Sequence, residues 1–546
     1  MSAAPPVIEL TPEECDAILS QAKARLDAAV YEKIAGLIRS YLWVLAQLEA
    51  KRTSLRRLRR MLFGAKTERT RDVTRKATGE SKGGEDAPAE GGAPACESDD
   101  GAEKPSKKKR SGHGRNGTPS YTGAERIEVP HGSLSVGDRC PGCPKGKLYG
   151  REPVVIVRVR GQAALAATAY ELERLRCNAC GETFRAKAPA VVGEKKYDET
   201  AASMIAVLKY GTGMPFYRLE RLEGALGIPL PSSTQWEIVE AAAALLTPVH
   251  EELIGQAAQG DVLHNDDTTM RMLSRMKELE SAPEGERTGT FTSGIVSIAA
   301  GRQIALFFTG AQHAGENLAD VLARRASGLP PPIQMCDALS RNVHGAWKTV
   351  LGNCLAHGRR GFVDVATSFP TEVRHVLEAL GEVYGVDARA KKEMLSSQER
   401  LRLHQKHSQP VMKDLQEWCT AQIEKKKVEP NSGLGQAISY LLKHWAKLTL
   451  FLRVPGAPLD NSICERALKK VVLSRKNAYF YKTENGARVG DLYMSLVYTA
   501  ELAGVSPFDY LTALQRHADE VREHSELWMP WNYRDTLEAL ACRAAA

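Results

Sequence analysis

Gly260-Asp-Val-Leu-His-Asn-Asp-Asp-Thr268 decides the fold. It reads as a strand that ends in two acids, Asp266 and Asp267, which point to opposite faces because side chains alternate along a strand. Two apolar, β-branched runs follow, Thr288–Ala300 and Arg302–Thr309, and the Gly301 between them predicts a hairpin. Glu316–Arg324 predicts a helix, and Pro332-Ile-Gln-Met-Cys-Asp337 a short buried strand that again ends in an acid. Strands, a helix and another strand imply an α/β core with a mixed sheet, in which neighbouring strand ends bring Asp266 and Asp337 together. Asp460-Asn461 can cap a helix that carries Glu465 in an early turn. Three carboxylates converging on one point are costly unless a cation neutralises them. Carboxylate oxygens suit hard cations such as Mg²⁺ or Mn²⁺. Two such ions ~3.5–4 Å apart can clamp the attacking and leaving oxygens of an in-line phosphoryl displacement. The same spacing also suits three acids that serve only as caps or surface groups.

Outward from this core, the 546-residue chain has room for several domains. It is 43% hydrophobic and 26% charged, which excludes collagen-like, wholly disordered and disulfide-scaffold classes. No apolar run approaches a membrane span, and residues 1–29 lack the basic and apolar regions of a secretory signal. Eleven cysteines are too sparse for a disulfide framework, so a reducing cytoplasm is the expected location. The net charge of +8 is unevenly spread. Lys51–Lys76 holds eleven bases and two acids, Glu85–Glu103 seven acids and no base, and Lys104–Arg115 six bases and no acid. Such blocks suit arms that meet a polyanion, or solvated linkers.

Residues 30–66 repeat every seven: Ile34, Tyr41, Leu48, Leu55 and Leu62, with Leu37, Val44 and Leu58 at the offset-three positions and Lys51 the exception. This predicts a coiled coil for self-association; a helix packed on its own domain is the alternative. Residues 67–125, poor in large apolar side chains, read as a flexible charged linker. Within 126–190, Cys140-Pro-Gly-Cys143 and Cys177-Asn-Ala-Cys180 supply four thiolates, a closed tetrahedral set for one structural Zn²⁺. Between them the β-rich stretches Val154–Val159 and Thr168–Leu172 suggest a zinc ribbon, with redox pairs as the alternative. Residues 198–255 predict three helices, the third capped by Ser232 or Ser233, as in a helix-turn-helix DNA-binding unit or a plain bundle.

The ordered set of motifs resembles the IS66 insertion-sequence family of transposases over about residues 30–512. The pieces are Met61-Leu-Phe-Gly-Ala-Lys-Thr-Glu68, the His113-Gly-Arg arm, the four cysteines, Leu263-His-Asn-Asp266-Asp-Thr and Gln334-Met-Cys-Asp337. Cys354-Leu-Ala-His357-Gly-Arg359-Arg360, Asp460-Asn-Ser-Ile-Cys-Glu465-Arg466, Ser474-Arg475-Lys476-Asn-Ala-Tyr-Phe480 and Gly504-Val-Ser-Pro-Phe-Asp-Tyr-Leu511 complete it. The resemblance implies a multidomain α/β protein whose RNase H-like catalytic core spans 258–480, with a helical insertion at 365–455 and a helical C-terminal region at 481–546. It implies a DDE triad of Asp266, Asp337 and Glu465 holding two Mg²⁺ or Mn²⁺ ions. Asp267-Thr268 stands where the family often has Glu-Thr, and Asp337-Ala-Leu where it often has Asp-Gly-Tyr.

The implied activity cleaves element ends and joins the freed 3′-OH to target DNA. His357, Arg359, Arg360, Arg466, Lys469, Lys470, Arg475 and Lys476 would contact DNA, chiefly its phosphates. The implied partners are double-stranded DNA, further copies of the chain through 30–66, and accessory proteins of the same element, at the nucleoid. Two other readings remain, a DNA-binding regulator whose core has lost activity and a nuclease that hydrolyses without joining.

Overall fold

The computed structural model describes residues 195–545 apart from 281–286, together with short stretches within 19–36, 134–138, 147–148, 164–176, 183–189 and Gly193. Most of the 30–66 heptad segment, the 67–125 linker and all four candidate zinc cysteines lie outside the described residues. Of the heptad segment, residues 30–32 and 34–36 are helical. Strands β1 (Arg174–Arg176) and β2 (Thr183–Arg185) pair antiparallel, with Arg176 opposite Thr183, on either side of the Cys177/Cys180 interval. Thr168–Leu172, which the sequence marks as β-rich, has no regular structure. No helix among the described residues is long and apolar enough to cross a membrane.

The chain divides into two bodies, Lys82–Cys354 with Ala457–Ala546, and Met1–Ser81 with Leu355–Gly456. The first is mixed α/β. Helix α1 (Glu199–Ala206) is capped by Asp198, whose carboxylate accepts from the Ala201 N–H at 2.9 Å, and runs on into a π-helical turn, Val207–Gly211. Helices α2 (Phe216–Ala225) and α3 (Ser232–Ala258) follow. Pro231 is the N-cap of α3, and the Ser232 hydroxyl serves another purpose, donating to Glu220. These helices bury Ile205, Leu219, Val239, Leu246 and Leu253 in the same hydrophobic cluster as the sheet.

The sheet has five strands, β3 (Val262–Thr269), β4 (Phe291–Ala299), β5 (Arg302–Gly310), β6 (Ile333–Cys336) and β7 (Val350–Asn353), in the order β5-β4-β3-β6-β7. β3, β4 and β5 are antiparallel neighbours, and β6 and β7 run parallel to β3. The β4–β5 loop is two residues, Ala300 and Gly301, at φ 48° and 78°. Positive φ at both central residues is what a tight hairpin matched to strand twist requires. Helix α4 (Leu273–Glu280) buries no side chain, and α5 (Ala314–Leu322) packs under β3 and β4.

The second body is helical: α6 (Leu355–Val365), α7 (Pro370–Lys392), α8 (Ser397–Glu424), α9 (Gly433–Lys443) and α10 (Trp445–Leu448). α7 and α8 form an antiparallel pair opened by a Ser396/Glu399 capping box. Between them Asp387 meets Arg400 at 2.7 Å, Lys391 at 2.8 Å and His404 at 3.3 Å. Burial alone would raise the Asp387 carboxyl; the His404 hydrogen bond and the Arg400 and Lys391 charges outweigh it and hold it far below the usual range. The buried charge is thus compensated, as its survival in a packed interface demands.

The first body resumes with α11 (Ser462–Ala478), α12 (Glu484–Leu502), α13 (Pro507–Arg516), α14 (Ala518–Glu523) and α15 (Tyr533–Ala545). α12 lies along β5. Asp491, Ser495 and Thr499, four residues apart on one helix face, accept from the N–H groups of Thr309, Phe307 and Ala305 at 2.6, 3.0 and 3.1 Å. Side chains of a helix thereby satisfy donors that an edge strand leaves open. Burial pushes the Asp491 carboxyl up to about 7, against the lowering effect of its two Thr309 bonds.

Candidate active site

β3 and β6 set Val262 opposite Ile333, Leu263 opposite Gln334 and His264 opposite Met335. Asp266 and Asp337 each lie two residues beyond the last of these pairs, Asp266 still within β3 and Asp337 just past the end of β6. Each carboxylate folds onto its own backbone: Asp266 Oδ1 accepts from the Asp267 N–H at 2.8 Å and Asp337 Oδ1 from the Ala338 N–H at 2.5 Å. Opposite Asp266 on β4 stands Gly294. A Cβ there would meet Leu468 at 3.0 Å and Cys464 Sγ at 3.5 Å, so the glycine lets α11 close onto the sheet. The Cys464 thiol donates to the Gly294 carbonyl at 3.2 Å. Glu465 is the next residue, in the first turn of α11. Burial, then the negative charges of Asp266 and Glu465, push the Cys464 thiol well up. One thiol therefore senses both acids, and it stays protonated.

Asn461 ties these elements together. It is fully buried at the start of α11, and its side chain makes no capping bond. Its Nδ2 donates to the Asn265 carbonyl at 3.1 Å, and its Oδ1 lies 3.0 Å from His264 Nδ1. Since Oδ1 can only accept, His264 carries its proton on Nδ1. The Asn461 N–H donates to Cys354 Sγ at 3.3 Å, and its carbonyl accepts from the Glu465 N–H at 3.1 Å. A second amide network holds the chain leaving Asp337: Asn265 Nδ2 and Gln334 Nε2 both donate to the Asn342 carbonyl at 2.8 Å.

Asp267 faces the other way. It is buried, with His313 Nδ1 2.8 Å from one oxygen and Arg341 Nη2 3.3 Å from the other. The alternation expected from the sequence thus separates the two neighbouring acids.

The expected DNA contacts divide. Arg466, Lys469 and Lys476 lie exposed on α11. Arg475 turns inward to the Thr268 and Thr269 hydroxyls, at 3.2 and 2.9 Å, and to the Thr269 carbonyl. Lys470 pairs with Glu501 and lies over the Tyr498 ring at 5.0 Å. His357, Arg359 and Arg360 belong to the first turns of α6 in the helical body.

Sequence reasoning missed Asn461 as a long-range pin, and with it His264, His313, Arg341 and Gly294. Gly294 carried a signal, since a glycine inside a strand marks close approach of another element. The polar His264-Asn265 pair inside a strand was a second.

The fold and this corner define a mixed α/β core with one acid inside β3, one just past β6 and one on the helix packed against β3 and β4. The sequence profile of the IS66 transposase family matches residues 195–489, and the chain belongs to that family, one of DNA-processing enzymes. Two uncharacterized proteins of Sinorhizobium fredii are similar. One, y4jD, is 28% identical over 385 residues, covering 66% of this chain and 71% of its own. The other, y4hP, is 25% identical over 400 residues, covering 68% and 69%.

Proposed function

We propose that this transposase is of the DDE type: it cleaves the ends of its element and joins the freed 3′-OH to target DNA, using Asp266, Asp337 and Glu465. The observation that supports this reading is the seating of α11 on Gly294, the β4 partner of Asp266, where the Cys464 thiol next to Glu465 feels the charges of both Asp266 and Glu465. The sheet order, with three antiparallel strands followed by two parallel ones, supports an RNase H-like core.

The donors fit hard divalent cations. They are carboxylate oxygens, and the nearby Cys464 thiol is held protonated and so is no competing ligand. Asp266, Asp337 and Glu465 would together hold two Mg²⁺ or Mn²⁺ ions. Bound there, the ions supply acidification of the attacking hydroxyl and neutralisation of charge developing on the phosphate. The chain's own work is positioning. Asn461 holds the Glu465 helix to the Asp266 strand. The Asn265–Gln334–Asn342 network fixes the direction of Asp337, and Asp267 braces the far face through His313 and Arg341. Arg466, Lys469 and Lys476 would lie along the DNA backbone, giving affinity without sequence reading.

The N-terminal modules complete the proposal: a coiled coil over 30–66 for oligomerisation, a zinc ribbon over 126–190 with Cys140, Cys143, Cys177 and Cys180, and a helix-turn-helix-like unit over 198–255.

The test is end cleavage and strand transfer on DNA carrying the element termini. Asp266→Asn, Asp337→Asn and Glu465→Gln should each abolish both steps and leave DNA binding intact. Wild-type protein that binds ends but neither cuts nor joins would make it a regulator. Cutting without joining would make it a nuclease.

A further inference from the structure

The exposed side of α11 leads from Glu465 to an aromatic turn. Arg466, Lys469, Leu473 and Lys476 recur at helical spacing and form one solvent-facing stripe. The stripe ends at Tyr479 and Phe480, 69% and 45% exposed, beside Leu473 at 48%. Tyr479 has φ +66°, a left-handed conformation that a bulky side chain adopts only under constraint. The constraint is visible on both sides. The Tyr479 N–H donates to the Arg475 carbonyl at 2.8 Å, and Asn477 Nδ2 to the Gly213 carbonyl at 3.0 Å. After Phe480, Tyr481 donates its N–H to the Arg271 carbonyl and its own carbonyl accepts from the Leu273 N–H, both at 2.9 Å.

Strain of this kind survives where a fold over-determines it, and such positions cluster at ligand contacts. Here the strain does not bury the rings; it presents them to water. A packing role is therefore a poor explanation. Lys476 before the turn and Lys482 after it are exposed and flank the rings along the chain, and such cations favour a polyanion. Aromatic faces among cations suit nucleotides, because every base has a π-face and every linkage a charge. From Glu465 to Tyr479 the helix spans about 20 Å at 1.5 Å per residue, roughly six base-pair steps of DNA.

We propose that the Tyr479–Phe480 turn is a stacking platform for unpaired bases of the DNA whose backbone follows the α11 stripe. The inference rests on the transposase reading of α11, and its test does not require cleavage.

Fluorescence anisotropy in EDTA compares a short blunt duplex with the same duplex carrying a single-stranded thymidine extension. Wild-type protein should bind the extended probe more tightly. The Tyr479→Ala/Phe480→Ala variant should lose that increment, about tenfold or more, and bind the blunt probe as before. Its salt dependence should be unchanged, whereas Lys476→Ala should lower the slope of log K against log salt by about 0.9 on both probes. Tyr479→Gly guards against misfolding: glycine accepts the left-handed conformation, so this variant should melt no lower than wild type and still lose the increment. The inference is overturned if the wild type shows no increment, if the aromatic variants keep it, or if they weaken both probes equally. Wild-type protein that binds neither probe overturns the transposase reading along with it.

Discussion

Replacing Asn461 by Ala removes an amide that answers two buried groups on β3. The His264 Nδ1–H loses its acceptor and the Asn265 carbonyl loses a donor, in an interior that admits no water-exposed substitute. A buried polar group left unsatisfied costs about 1–3 kcal/mol, so the variant should lose about 2–5 kcal/mol. That is a large part of a typical domain's total stability of about 5–15 kcal/mol. Urea unfolding of the full chain, followed by tryptophan fluorescence, measures the loss. The same loosening frees the first turn of α11, so Mn²⁺ binding measured by calorimetry should weaken while DNA affinity holds. A double-mutant cycle with His264→Phe isolates the pairing. Phenylalanine removes the orphaned donor, so the two substitutions together should cost about 1–2 kcal/mol less than their sum. Additivity to within about 0.5 kcal/mol would refute the idea that Asn461 acts through His264. Undiminished Mn²⁺ binding would refute its role in placing Glu465.

Gly294→Val should push α11 off the sheet, costing about 1–3 kcal/mol by overpacking and abolishing cleavage in a strand-cutting assay. Asp267→Ala strips a carboxylate from its His313 and Arg341 partners; it should lower stability by about 1–3 kcal/mol and leave the reaction substantially active, in contrast to Asp266→Ala. The Asp491 carboxyl has its folded pKa raised to about 7 from 3.8, so the folded state holds the extra proton between those values. Stability should therefore fall as pH rises from about 4 to about 7 and level off above, and Asp491→Asn should flatten that slope in melts across the range. Purified protein should contain about one zinc per chain by elemental analysis, and Cys177→Ser should release it.

Much of the core was readable because its signals are local. Apolar, β-branched runs on either side of Gly301 mark the β4–β5 hairpin, and apolar starts mark β3 and β6, although β3 continues three residues past Asp266 and β6 stops one short of Asp337. What escaped the sequence is long-range. Asn461 reads as a helix cap, yet Asp460 makes the local bond, accepting from the Ser462 N–H at 3.0 Å, while Asn461 reaches back to β3. Ser232 likewise reads as a cap and instead answers Glu220 on the preceding helix. Charge was legible as charge and not as purpose. Arg475 and Lys470 belong to the same basic run as the exposed Lys469 and Lys476, and only the tertiary structure shows that Arg475 is turned to Thr269 and Lys470 to Glu501.

The ladder from α12 to β5 bears on how this protein can be cut into pieces. The family match ends at residue 489, within α12 and before Asp491, Ser495 and Thr499. A fragment trimmed to that boundary keeps every acid of the candidate site and loses all three acceptors for the β5 edge. Its outer strand would then offer the Ala305, Phe307 and Thr309 N–H groups to any passing chain, the arrangement that seeds sheet-to-sheet aggregation. A soluble catalytic fragment should need to run at least through Leu502.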